Sequence, residues 1–291
     1  MQFCCEKQID PLIPDVNLVL EFLTGLYMKN LGYSALNTAS SSISSFLSLS
    51  GDSCVRLGDH FLVKRFMRGV FLSRPTLPRY HFTWDVNKVL AYLRSLSPVE
   101  DLSLLQLSKK LAMLLALLSG QRKQGLHLLD VRNVTLRDDM LIIRYGDLLK
   151  QSRPGHHLDE ISLAAYPNDK DLCVLHVYKT YIHRTNKLRG SEFKLFISTQ
   201  KPHKSVTIDT IGRWIKTVMI DAGIDMSLFS PHSTRAAATS AAARMNVSID
   251  TILRTAGWTG DSTFRKFYHK PVRMNCDFGS ALLDNFHDVV S

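Results

Sequence analysis

PHSTRAAATSAAARM, residues 231–245, sets a histidine and an arginine three positions apart at the head of an alanine run. Ser230 offers a helix cap, and Pro231 suits the first helical position. The small residues behind them allow close packing, so the segment reads as a buried helix. His232 and Arg235 then fall one turn apart on the same side. They stand at the end where free N–H groups and the helix dipole favour an anion. The segment reads either as an oxyanion or phosphate site on a buried support, or as a surface cap with two incidental charges. The H-x-x-R pattern alone does not separate the two.

The flanking sequence adds chemistry. In TAGWTGDSTFRKFYHKP (255–271), Gly257-Trp258 ends one short helix, and Asp261 or Ser262 begins another that carries Tyr268 and stops at Pro271. Tyr268 is flanked by Arg265, Lys266, His269 and Lys270. Cations beside a phenol stabilise its anion and make it a nucleophile. Trp258 offers an indole N–H donor, with core packing as the competing role. Upstream, a long apolar helix ends in SGQRKQGLHLLDV (119–131), which puts Arg122 where the helix leaves the core. A guanidinium there needs a partner, and a phosphate serves it bidentately. YGDLLKQSRPGHH (145–157) lies between two predicted strands and carries Lys150, with Arg153, His156 and His157 close by. Lys150 fits a functional hairpin loop or an ordinary solvated turn.

The 291 residues suffice for one large or two ordinary domains, and 45% are hydrophobic, as expected of a globular chain. The longest unbroken apolar run, LAMLLALL (111–118), is too short to span a bilayer, and MQFCCEKQID lacks the apolar core of a signal peptide. The formal charge is +10, from 36 basic and 26 acidic side chains without a long run of one sign. That dispersal fits a basic face, for which nucleic acid is the commonest partner. The five cysteines are odd in number and form no C-x-x-C pair, against a disulfide framework or a zinc site and in favour of a reducing compartment.

Helical spacing of apolar residues predicts helices over 16–28, 33–50 and 59–71. The second of these has a serine-rich face, read as solvated or as a close approach to a phosphate backbone. SRPTLPRYHF (73–82) reads as a linker. Helices are expected over 83–96, with Thr83 as cap, and over 102–122. Short strands follow at 131–137, 140–145 and 158–165, with a hairpin turn at RDD, and the pattern from about 169 is helical again. The fold class is therefore mainly α with a small antiparallel β-sheet. The domains are a helical unit over 1–72, the linker 73–82, and a larger unit over 83–291.

In order and context, Arg122, Lys150, His232-x-x-Arg235, Gly257-Trp258 and Tyr268 resemble the tyrosine recombinases of the phage-integrase type. The resemblance covers about 83–275, and the N-terminal helices are similar to the core-binding domain of that family. RYHFTWDVNKVLAYLRSL, LLALLSGQRKQGLHLLDV and PHSTRAAATSAAARM are most similar to recombinases of DIRS-type retrotransposons. The resemblance implies a two-domain clamp on double-stranded DNA, with four protomers on two DNA sites, and no cofactor or metal. It implies that Tyr268 attacks the scissile phosphodiester and becomes joined to a 3′-phosphate. Arg122 and Arg235 would hold the non-bridging oxygens, His232 would manage a proton, Trp258 would hydrogen-bond the phosphate, and Lys150 would protonate the leaving 5′-oxygen. The family commonly has an acidic residue three positions after its first arginine, where this chain has Gly125; Asp130 fits another commonly acidic position.

The alternatives are a DNA-binding protein that has lost catalysis and a type IB topoisomerase-like nicking and sealing activity. The clustered carboxylates of a metal-dependent nuclease are not seen. A nuclear location follows from the inferred substrate, without a clear basic import signal. The helix expected over 278–286 would dock on its own domain or on a neighbouring subunit. The prolines before VNLVLEFL suggest a binding domain that starts partway through its usual length, as in a piece of a larger polyprotein or a degenerated copy.

Overall fold

The computed structural model describes residues 2–12, 15–47, 57–75, 81–149, 152, 159–258 and 260–272, with the backbone alone described for Thr263, Lys266 and Phe267. The chain forms two compact units, residues 1–79 and 80–291. The division falls inside the stretch expected as a linker.

In the N-terminal unit, α2 (Val16–Met28), α3 (Tyr33–Leu47) and α4 (Phe61–Ser73) follow the predicted spacing. A short α1 (Gln2–Lys7), which was not expected, precedes them. Asp15 caps α2 through the Asn17 amide at 2.8 Å. Leu23, Leu36, Val63 and Val70 form the middle of the small core. The serine face of α3 is partly a packing face: Ser40 is buried. A Cβ at Gly58 would lie 2.7 Å from the Ser44 hydroxyl, so α3 is approached closely there.

The larger unit is built on α6 (Leu104–Ser119), opened by a capping box between Ser103 and Gln106 and stopped by Gly120 in the left-handed region at φ 59°. Leu107, Leu111, Met113, Leu114 and Leu115 are buried in it. Around α6 pack α8 (Val174–Thr185), α9 (Ile208–Asp221) and α10 (Ser233–Arg244). The other helices are α5 (Val86–Ser95), α7 (Lys123–His127), α11 (Ile249–Ala256) and α12 (Asp261–Phe267). Strands β1 (Val134–Arg137), β2 (Met140–Ile143) and β3 (Ile161–Ala164) form an antiparallel sheet in the order β1-β2-β3. Arg137 pairs with Met140, which leaves Asp138-Asp139 as a two-residue hairpin turn. Among the described residues, no helix is long and apolar enough to cross a membrane.

Several local expectations are corrected. Thr83 is not the cap of α5; Asp85 is, through the Asn87 amide at 3.0 Å. Burial of Trp84, whose indole N–H donates to Ser233 Oγ at 2.9 Å, holds the chain extended at this point. The Thr83 amide bonds the Pro271 carbonyl at 2.7 Å. β1 starts at Val134, because the Asp130 side chain caps a single 3-10 turn over Val131–Asn133. α10 starts at Ser233 rather than Pro231: the Ser233 amide bonds the Ser230 carbonyl at 2.8 Å, so residues 230–233 form a tight turn and His232 stands at the cap position. The helix expected over 278–286 lies outside the described residues.

Candidate active site

Arg235 sits in the first turn of α10 and is 2% exposed. Its Nη1 donates to the Gly120 carbonyl at 2.9 Å and its Nη2 to the Ala256 carbonyl at 2.6 Å. Gly120 ends α6 and Ala256 ends α11, so one side chain uses two carbonyls left open at helix termini. The guanidinium also faces two aromatic rings. Its Cζ lies 4.3 Å from the centroid of Trp258 and 5.7 Å from that of Tyr268. The two rings are themselves 4.5 Å apart. Arg235 thereby brings together residues from sequence segments around 120, 258 and 268.

Arg122 stands at the cap position of α7, directly after the Gly120 turn. Gln121 fixes this turn by donating to the Thr255 carbonyl at 3.0 Å. Arg122, His232 and Arg235 line one cavity of about 380 Å³. Lys123, Arg213 and Lys216 also line it, and Lys123 pairs with Asp209 at 2.9 Å. Burial lowers the Arg235 ionisation from its usual value, and the neighbouring Arg122 charge lowers it further; Tyr268 and Tyr145 act in the opposite direction. Two like charges on one cavity are what a bound anion would relieve.

Four buried side-chain polar atoms among the described residues lack a hydrogen-bond partner: Thr83 Oγ1, Tyr145 OH, Arg235 Nε and Trp258 Nε1. Buried polar groups are normally satisfied. Two of the four belong to the stacked pair Arg235 and Trp258, and both are donors.

Tyr268 is the residue just after α12 rather than a member of that helix. Its backbone is held by Ser240 of α10. The Ser240 hydroxyl donates to the Tyr268 carbonyl and accepts from the Lys270 amide, the latter at 3.1 Å. Arg244, one turn further along α10, donates to the Lys270 carbonyl at 3.3 Å.

Of the six residues singled out in the sequence, five are described. Arg235, Trp258 and Tyr268 are in mutual contact, and Arg122 and His232 share the cavity with Arg235. Lys150, with Arg153, His156 and His157, lies outside the described residues. Sequence reading missed Ser240, whose signal was a lone serine in the alanine run. It also missed Lys123, Arg213 and Lys216, which carry no signal beyond their charge. Asp130 does not line this cavity: it pairs with Arg132 at 2.7 Å, and Arg132 covers the Phe193 ring at 4.1 Å.

Similar solved structures are recombinases and integrases. A XerH site-specific recombinase bound to its difH substrate before cleavage matches with a TM-score of 0.60 at 12% identity, over 96% of this chain and 70% of that one. The Tn1549 transposon integrase with transposon right end DNA matches at 0.59 and 15% identity, over 95% and 86%. A lambda integrase dimer bound to a COC′ core site matches at 0.53 and 14% identity, over 91% and 85%. At these identities the likeness is one of fold. No curated protein matches the chain in sequence. Residues 85–273, well over half the chain, match the phage integrase family. With the helical fold, the small antiparallel sheet and these structural likenesses, that match means that the chain belongs to the phage integrase family.

Proposed function

We propose that the chain cleaves and rejoins double-stranded DNA at specific sites through a phosphotyrosine on Tyr268. The observation that carries this reading is the buried Arg235. It ties the turn before Arg122 to the end of the helix before Trp258, and it lies under the Trp258 and Tyr268 rings.

In this reading Arg122 and Arg235 hold the non-bridging oxygens of the scissile phosphate, and Trp258 Nε1 donates to the same group. Each favours the pentacoordinate transition state, whose equatorial oxygens carry more charge than the ground state. The Tyr268 oxygen attacks phosphorus while His232 accepts the phenolic proton. The bond to the 5′-oxygen breaks, and Lys150 supplies that oxygen with a proton. The product is a 3′-phosphotyrosine and a free 5′-hydroxyl. The phosphodiester energy is retained in the new ester, so a second hydroxyl reverses the step without ATP.

The formal charge of +10 fits a DNA partner. Among proteins of the same fold, XerH, the transposon integrase and lambda integrase are all seen bound to DNA, and lambda integrase also as a tetramer on a Holliday junction. An assembly of four protomers on two DNA sites is the corresponding expectation here. The segments that resemble DIRS-type recombinases support a reading as a mobile-element integrase, for which a nuclear location is the corresponding expectation.

The test is covalent trapping. The protein is mixed with a pool of nicked random-sequence duplexes and denatured, and the DNA still attached to protein is recovered. Attachment by the wild type and none by Tyr268→Phe supports the mechanism. Tight binding without attachment marks a DNA-binding protein that has lost catalysis. Attachment through another tyrosine rejects Tyr268 as nucleophile. Attachment and relaxation of supercoiled plasmid without any recombination favours a topoisomerase-like activity.

A further inference from the structure

Tyr145 is the second residue after β2, and its hydroxyl is buried without a protein partner. That hydroxyl lies against Gly125 of α7: a Cβ built on Gly125 would meet it at 3.0 Å. Arg122 caps the same short helix three positions earlier. The Arg235 charge also acts on the phenol. Burial raises the Tyr145 ionisation, and the Arg235 charge offsets only part of this, so near neutral pH the hydroxyl keeps its proton and is a donor.

Gln121, beside the same glycine, does not accept that proton. Gln121 Oε1 lies 3.3 Å from the same Cβ point on Gly125 but forms no hydrogen bond with the phenol, and the Gln121 amide is anchored on the Thr255 carbonyl. Three buried donors on the segments that meet at this site are thus unpartnered: Tyr145 OH beside α7, and Arg235 Nε and Trp258 Nε1 in the stacked pair. A protein acceptor or a neutral amide would satisfy one of them. A tetrahedral oxyanion presents several acceptor oxygens and no competing donor, and it answers the Arg122 and Arg235 charges as well.

We propose that Tyr145 is a further substrate contact: its hydroxyl donates to an oxygen of the phosphate held by Arg122 and Arg235, in the space that Gly125 leaves open by having no side chain. This role rests on the phosphotyrosine reading and adds a residue to it. It also gives Gly125 a reason beyond helix packing. A side chain there would push the phenol off the phosphate, although alanine suits the helix itself better than glycine does.

The experiment uses the full 291-residue chain and nicked duplexes recovered by attachment to the wild type. Each duplex is made with an ordinary phosphate and with either methylphosphonate diastereomer at the cleaved position. Attachment rates and thermal midpoints are measured for wild type, Tyr145→Phe and Gly125→Ala. On phosphate, Tyr145→Phe should slow attachment by about 10- to 100-fold, the usual cost of one donor to a charged oxygen. Its thermal midpoint should be unchanged or higher, because it loses only an unpaired buried hydroxyl. On the diastereomer that lacks the contacted oxygen, wild type and Tyr145→Phe should attach at the same rate; a merely structural role would slow both diastereomers equally. Gly125→Ala keeps the hydroxyl but displaces it and should show the same pattern. Wild-type attachment by Tyr145→Phe, or equal slowing on both diastereomers, overturns the role of Tyr145 and leaves the phosphotyrosine reading standing. No attachment by the wild type itself overturns both.

Discussion

The Ser240 hydroxyl donates to the Tyr268 carbonyl and accepts from the Lys270 amide, so one buried side chain of α10 grips the backbone at the candidate nucleophile and just after it. Five residues earlier the same helix carries Arg235. The phenol and the guanidinium thus share one rigid support, and their spacing is set by a helix rather than by loops. Ser240→Ala removes both hydrogen bonds and should cost about 1–3 kcal/mol of stability. It should also slow attachment of DNA to Tyr268 while leaving DNA affinity near wild type. Filter binding and the covalent-trap rate, measured together, check this. A parallel fall in both would mean that Ser240 supports the unit as a whole and not the nucleophile in particular.

A second expectation concerns Arg235. Lysine has a single charged nitrogen on a flexible stem and cannot span the Gly120 and Ala256 carbonyls while presenting a guanidinium face to Trp258. Arg235→Lys should lower covalent attachment by about 100-fold or more. It should also abolish stabilisation by a simple anion. Inorganic phosphate, the simplest anion for the cavity that Arg122 and Arg235 line, should raise the thermal midpoint of the wild type as its concentration passes its Kd. The variant should show no such rise beyond the effect of matched chloride. An equal rise in both proteins would place the anion elsewhere.

The long helices were legible because their cues are local. α2, α6 and α9 each combine helical apolar spacing with a side-chain cap at Asp15, Ser103 or Thr207. The order of Arg122, His232, Arg235, Trp258 and Tyr268 was legible as well, since each stands beside a helix end that the sequence marks with glycine or proline. What joins them was not. Arg235 reaches Gly120 across 115 positions, and no local pattern announces a backbone carbonyl as partner. Thr83 was misread as a cap because Trp84 overrides it: burying the indole against Ser233 keeps the chain extended until Asp85. Ser240 was hidden by its surroundings, because a serine among alanines reads as one more small residue. The close approach of Tyr145 to Gly125 joins a strand end to a helix, which composition does not report.

Gly120 gives a third expectation. Its φ of 59° ends α6 and aims its carbonyl at Arg235. An alanine there would meet Thr239 Cγ2 at 3.5 Å, an ordinary contact, so the cost comes from the left-handed backbone and not from crowding. Gly120→Ala should lose about 1–2 kcal/mol. Gly120→Asn, which tolerates this conformation better, should recover part of that loss. Denaturant melts of the three proteins give the comparison, and an asparagine variant no better than alanine would show that space and not φ is the constraint.

The last expectation is a pH dependence. Asp130 is nearly buried, and its carboxylate accepts from Arg132 Nε at 3.0 Å, Arg132 Nη2 at 2.7 Å and the Arg132 amide at 2.9 Å. The Arg132 side chain, foremost, holds the Asp130 ionisation below the usual carboxylate range, against the opposing effect of burial. For a group whose folded value is depressed, the stabilisation is fully present above the unfolded value, which is about 3.9 for aspartate. It is lost as pH falls through the lower folded value. Asp130→Asn keeps an oxygen that can cap the turn at Arg132 but gives up the charge. The wild type should therefore be the more stable protein at neutral pH, and its advantage should shrink toward zero below about pH 4. Denaturant midpoints of both proteins, measured from neutral to acid pH, test this. An advantage that stays constant across the range would assign the role of Asp130 to its cap alone and not to its pairing with Arg132.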